Sequence, residues 1–128
     1  CYSAQAITIP EGVTSIGQSA FSSCYSARAI TIPEGVTSIE PSAFSNCYSA
    51  ETITIPASVT SIAANAFHSG APRCARDVYV YPATPPSMVA NSFSYLTGAT
   101  VHVPAASLSA YQAATNWATF AALMVGDL

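Results

Sequence analysis

Lysine is absent from these 128 residues, and charge of either sign is scarce. Three arginines and six carboxylates make up 7% of the chain and leave a net charge of −3. A nucleic-acid surface needs clustered cations to neutralise phosphates, and no such cluster occurs. Hydrophobic residues reach 51%, yet no apolar run approaches the ~20 residues of a membrane helix. No CxxC pair is present, and neither His68 nor His102 stands near a cysteine pair in the sequence. That argues against a zinc site, and no cofactor is expected. Paired carboxylates are missing too, because Glu11, Glu34, Glu40 and Glu51 are scattered at turns and corners. Serines recur once per repeat, a structural pattern rather than a singular nucleophile, so no enzyme is expected. No signal peptide opens the chain. It begins at Cys1, inside a repeat, and is read as a fragment whose export signal and earlier repeats lie outside it.

What is present is a period. Residues 7–21 read ITIPEGVTSIGQSAF, and the pattern returns at 30–44 as ITIPEGVTSIEPSAF and at 53–67 as ITIPASVTSIAANAF, 23 residues apart each time. A period of this length signals a solenoid rather than a globule. Ile7 and Ile9 alternate around Thr8, the signature of a strand with one buried face. Pro10 ends that strand because it lacks the N–H a ladder requires. Glu11 and Gly12 form a turn, Val13 and Ile16 point inward again, and Ala20 with Phe21 closes the rung on a short helical turn. One rung cannot bury these side chains alone. Stacked copies make columns of Ile7, Ile30 and Ile53, of Ile9, Ile32 and Ile55, and of Phe21, Phe44 and Phe67. Each full burial is worth roughly 1.5–3 kcal/mol, so stability resides in the contacts between neighbouring rungs.

Beyond residue 67 the period loosens. An insertion of two residues within 68–77 shifts Ala75, Val78 and Val80 into the slots of Ala50, Ile53 and Ile55. Tyr81 takes the place of the proline, and Pro82 follows. Residues 83–86 make a rigid proline loop. Asn91, Ser92 and Phe93 repeat the Ala-Phe step with serine for alanine. A fifth strand is expected over 100–103, ending at Pro104. Residues 1–104 are therefore read as the solenoid, with regular rungs over 1–69 and degenerate ones over 70–104. Residues 105–128 are read as a helical C-terminal cap. Ser107 is its expected N-cap. Leu108, Tyr111 and Ala114 share one helical face, and Trp117, Phe120 and Leu123 continue at spacing three.

The IxIPxxVxxIxxxAF core of all three regular rungs, followed by xxC in the first two, resembles the BspA-type (Treponema pallidum-type) leucine-rich repeat family. The stretches VYVYPATPP and VPAASLSAYQAATNWATF are similar to the C-terminal ends of BspA-like proteins of gut and oral Bacteroidetes. The resemblance implies a leucine-rich-repeat-like curved stack with a parallel β-sheet on its concave face. It also implies a secreted or cell-surface bacterial protein that adheres to a host or neighbouring-cell surface, an extracellular matrix protein or a glycan. Family members carry leucine where this chain has Ala4, Ala27, Ala50 and Ala75, so a cavity costing on the order of 2–5 kcal/mol is expected at each.

Cys1, Cys24 and Cys47 are in phase and form a column, with Cys74 apart. Neighbouring rungs lie roughly 4.7–4.9 Å apart, close enough for a disulfide. The preferred reading is a ladder of buried free thiols acting as small apolar side chains.

Outward-facing strand positions also align: Gln5, Arg28, Glu51 and Arg76; Ala6, Ala29, Thr52 and Asp77; Thr8, Thr31, Thr54, Tyr79 and His102. Leucine-rich repeats bind partners on this face, which makes Arg28, Glu51, Arg76, Asp77, Tyr79 and His102 the candidate ligand-binding residues. Arg28, Glu51, Arg76 and Asp77 are read first as a charge ladder that satisfies itself. Tyr79 with His102 and Arg76 is the aromatic and cationic patch suited to anchor a partner, and Asp77 and His102 are expected neighbours across strands. Tyr2, Tyr25 and Tyr48 form a second aromatic column, read as an edge covering or an adhesive stripe. The leading function is adhesion or recognition. One alternative is a structural subunit that self-associates through its open N-terminal rung. A minor alternative is ice binding by the regular hydroxyl columns of Thr8, Thr31 and Thr54 and of Thr14, Thr37 and Thr60.

Overall fold

A computed structural model describes residues 6–24, 26–47, 50–68, 76–89, 91–93 and 99–128 of the chain. Tyr2, Tyr25 and Tyr48, with Cys1, Cys74, Ala4, Gln5 and Ala75, lie outside these residues.

The Ile-Thr-Ile triplets become strands, as their β-branched alternation requires. They are β1 (Ala6–Thr8), β3 (Ala29–Thr31) and β5 (Thr52–Ile55), continued by β7 (Asp77–Val80), β9 (Thr100–Val103) and β10 (Met124–Gly126). Among the described residues these make a six-stranded parallel sheet in the order β1-β3-β5-β7-β9-β10. Like residues pair with like: Ile7 with Ile30, Ile30 with Ile53, Ile53 with Val78, and Val78 with Val101. All five are buried. The two-residue insertion is absorbed before β7, because Ile55 still pairs with Val80.

A second parallel sheet runs alongside. Its strands are only two residues long: β2 (Ser15–Ile16), β4 (Ser38–Ile39), β6 (Ser61–Ile62) and β8 (Ser87–Met88). Ile16, Ile39, Ile62 and Met88 fall in register and are buried. Between the two sheets the chain turns at Gly12 (φ 89°) and Gly35 (φ 101°). Nothing lies within 4 Å of a side chain added at Gly12, so glycine serves the backbone dihedral there and not a lack of space. In the third repeat Ser58 replaces this glycine. Its hydroxyl accepts from the Gly35 N–H (3.0 Å) and donates to the Val36 carbonyl (2.8 Å).

The helical turn expected around Ala20 and Phe21 does not form. Alternate N–H groups there donate to the next repeat: Ser19 to Pro41 O, Phe21 to Ala43 O and Ser23 to Ser45 O. Those between them close tight turns, Ala20 to Gly17 O and Ser22 to Ser19 O. This alternation places Ser19, Ser23, Ser42, Asn46 and Asn65 near φ 60°, a region uncommon for serine and more readily entered by asparagine. Bonding between repeats thus overrides the local i to i−4 pattern.

The phenylalanines stack through the core. Ring centroids are 5.4 Å apart for Phe21–Phe44, 5.3 Å for Phe44–Phe67 and 4.7 Å for Phe67–Phe93, with planes within 10° of parallel. The spacing follows the strand separation that neighbouring repeats impose. Ser92, in the slot of Ala66, is fully buried. Its hydroxyl accepts from the Val89 N–H (3.1 Å) and faces the carbonyls of Ile62 (3.1 Å) and Ala63 (3.0 Å). Ala27 and Ala50, in the slots expected to hold leucine, are buried in the same core.

Residues 105–128 pack against β9 and against residues 82–88. A 3-10 turn (Ala105–Ser107) leads into α1 (Leu108–Ala113), and a second 3-10 segment (Ala118–Leu123) leads into β10. The spacing of three at Trp117, Phe120 and Leu123 suits three residues per turn. Phe93 ends the aromatic column by meeting Trp117 (6.0 Å) and the edge of Phe120 (6.3 Å). Ser107 sits at the start of α1, but it makes no side-chain cap there. Its hydroxyl donates instead to Ala83 O at 2.7 Å. Tyr111 Oη donates to Pro82 O (2.6 Å), Trp117 Nε1 to Pro86 O (2.8 Å), and Asn116 Nδ2 to Met88 O. Four side chains of this segment therefore donate to carbonyls within residues 82–88, and the bonds to Pro82 and Pro86 are buried, where an unpaired carbonyl would be costly.

Candidate binding face

The outward positions of the large sheet carry Asp77, Tyr79 and His102, whereas Arg28, Glu51 and Arg76, expected as outward strand positions, lie just before its strands. Backbone pairing sets Ala29 beside Thr52 and Thr52 beside Asp77, and it sets Thr31 beside Thr54, Thr54 beside Tyr79 and Tyr79 beside His102. The flanking positions Arg28, Glu51 and Arg76 are tied through the main chain. Glu51 N donates to Arg28 O (2.6 Å), and Arg76 N to Glu51 O (2.8 Å). Their side chains are exposed. Among the described residues no ion pair joins them, and the ion pairs are those of His102 with Asp77 and Asp127. The self-satisfying charge ladder is thus not formed: the strands fix these positions by their backbones and leave the long side chains in water, where an ion pair gains little.

His102, on β9 next to the edge strand, gathers the polar contacts of the face. Its Nε2 lies 2.9 Å from Asp77 Oδ1, and its Nδ1 lies 2.8 Å from Asp127 Oδ2 and 3.0 Å from Oδ1. The imidazole stacks on Tyr79, with centroids 4.5 Å apart and planes 11° from parallel. The His102 side chain is 14% exposed, and the two aspartates 42% and 47%. Burial opposes a charge on the ring. The hydrogen bonds and negative charges of Asp77 and Asp127 outweigh it and raise the pKa above its ordinary 6.5. Asp127 carries no repeat signature, and β10 lies outside the period, so sequence spacing gave no route to it. Arg76 stands beside Asp77 in sequence but makes no ion pair with the cluster among the described residues.

The other features place as follows. Thr37 Oγ1 donates to Thr14 O (3.2 Å) and Thr60 Oγ1 to Thr37 O (3.1 Å), so one hydroxyl column is engaged with its own backbone. Cys24 is part of a disulfide, which corrects the reading of an all-thiol ladder. Cys47 is a free, buried thiol whose Sγ lies 3.4 Å from Phe21 O. Burial raises its pKa above the ordinary 9.0, against the lowering effect of a backbone hydrogen bond from Cys24. A shallow recess of about 320 Å³ lies between the 57–60 turn and the 82–86 loop, with no charged side chain lining it. Among the described residues no group of three His, Cys, Asp or Glu side chains is placed to hold a metal ion, and no helix is long and apolar enough to cross a membrane.

Residues 1–74 match the family model described as "BspA type Leucine rich repeat region (6 copies)". The chain belongs to this family. No curated protein matches the chain. For this BspA-type chain, membership and the parallel sheets agree on a repeat fold, and membership points to an interaction or surface module.

Proposed function

We propose that this chain is a non-catalytic, cell-surface or secreted bacterial adhesion module. In this reading residues 1–104 form a curved solenoid, and residues 105–128 cap it. The concave face of the large sheet takes a protein or glycan of a host or neighbouring cell. Arg28, Glu51, Arg76, Asp77, Tyr79 and His102 are its contact residues. The observation that carries the reading is the Tyr79–His102 ring pair on the outward positions of the large sheet, with exposed Arg28, Glu51 and Arg76 at the residues just before its strands. Tyrosine and arginine anchor interfaces because they bring large contact area and directional donors together. A screen against extracellular matrix proteins and surface glycans tests this, with Arg76→Ala and Tyr79→Ala as controls. Binding that both variants keep in full would exclude this face. Binding that either loses, while its fold is intact, supports it.

A self-associating structural subunit is the second reading. Light scattering over a range of concentrations separates the two readings: growth of mass with concentration favours assembly, and a strict monomer excludes it.

A further inference from the structure

We propose that Asp77, His102 and Asp127 form a proton-controlled latch that holds β10 on the edge of the large sheet. The three side chains come from separate elements. Asp77 begins β7, His102 lies in β9, and Asp127 follows β10. A neutral imidazole carries one N–H, whereas an imidazolium carries two. Both His102 nitrogens face carboxylate oxygens at 2.8–2.9 Å. Only the protonated ring donates to both at once. Without the proton, one nitrogen lone pair faces a carboxylate oxygen, and one of the two contacts turns repulsive.

The weaker tie is at β10. This strand is three residues long and outermost in the sheet, and Val125 on it is exposed. Beyond its pairing with β9, the segment is held by Leu128 N donating to Val103 O and Ala105 N to Leu128 O, both at 3.2 Å, and by half-buried Met124 and Gly126 packed against the core and the 105–108 turn. Asp77, by contrast, sits in a strand paired on both sides. Loss of the proton therefore releases the Asp127 end and uncovers the outer edge of β9. The groups facing the ring are Asp77 and Tyr79 from β7 and Val125 and Asp127 from the β10 segment. Only the two aspartates among them are charged. The latch goes beyond the adhesion reading and holds whether or not this face binds a partner.

Hydrogen exchange of the backbone amides of residues 124–128, corrected for intrinsic rates and compared at about pH 5.5 and about pH 8.5, tests the latch. Protection there is expected to fall roughly three- to tenfold over that range, while amides between β3 and β5 stay constant. His102→Gln is expected to remove the pH dependence. Asp127→Asn, a substitution at a half-exposed site that preserves shape, is expected to do the same and serves if His102→Gln fails to fold. The proposal is overturned if wild-type protection of 124–128 does not change with pH. It is equally overturned if a folded variant keeps the full dependence, or if protection falls evenly over the whole chain.

Discussion

Tyr79 and His102 lie ring on ring across β7 and β9, 4.5 Å between centroids. A charged imidazolium over a tyrosine face is attracted by the ring quadrupole, and a neutral imidazole much less so. A double-mutant cycle of Tyr79→Leu and His102→Leu, read by urea denaturation, should give a coupling of about 0.5–1.5 kcal/mol at mildly acidic pH. The coupling should shrink at alkaline pH. A coupling indifferent to pH would mean that the rings meet as apolar surfaces only.

Global stability should carry the same proton. The folded pKa of His102 is raised above 6.5, so the folded state binds the proton more tightly than the unfolded chain. Its contribution is fully present below pH 6.5 and is lost as pH rises through the folded value. Urea midpoints measured from about pH 6 to about pH 9 should decline over that window, and those of the Asp77→Asn/Asp127→Asn double variant should decline less. Equal declines would remove His102 as their source.

Phe44 is stacked on both sides and 1% exposed, whereas Phe21 is stacked on one side and partly buried. Phe44→Ala should cost about 3–5 kcal/mol, in the range of large core truncations. Phe21→Ala should cost less, because part of its surface already meets water. Equal losses of urea midpoint would contradict a core whose depth increases from the first repeat.

The repeat made the large sheet legible. Identical residues 23 positions apart hydrogen-bond and pair in the structure, and the Val78–Val80 alternation kept the register readable across the insertion. Tyr79 and His102 were legible for the same reason, since each follows from counting along a column. The second sheet was not, because Ser15–Ile16 and its copies are too short to show alternation. The left-handed serines and asparagines at 19, 42 and 65 were also hidden, as they answer to carbonyls of the next repeat and not to their own sequence. Asp127 reached the site only because β10 adds to β9 outside the period. Gly126 permits that approach: a side chain there would meet Ala105 Cα and Leu108 Cβ at 3.2 Å.

Trp117 is a built-in probe of the C-terminal segment. It is the single tryptophan of the chain and is 2% exposed, wedged edge-on against Tyr111 at 5.1 Å. Its emission should be blue-shifted in the folded protein and should report the docking of the 105–128 segment alone. Tyr111→Phe keeps the ring and deletes the hydroxyl that donates to the buried carbonyl of Pro82. An unsatisfied buried acceptor costs roughly 1–3 kcal/mol. Removing the donor should therefore lower the urea midpoint seen by Trp117 emission. If the segment undocks before the repeats unfold, far-ultraviolet circular dichroism should show a later transition than Trp117 in this variant. Coincident transitions would make segment and repeats one cooperative unit. An unchanged midpoint by both signals would show that water replaces the Tyr111 hydroxyl at Pro82 without loss.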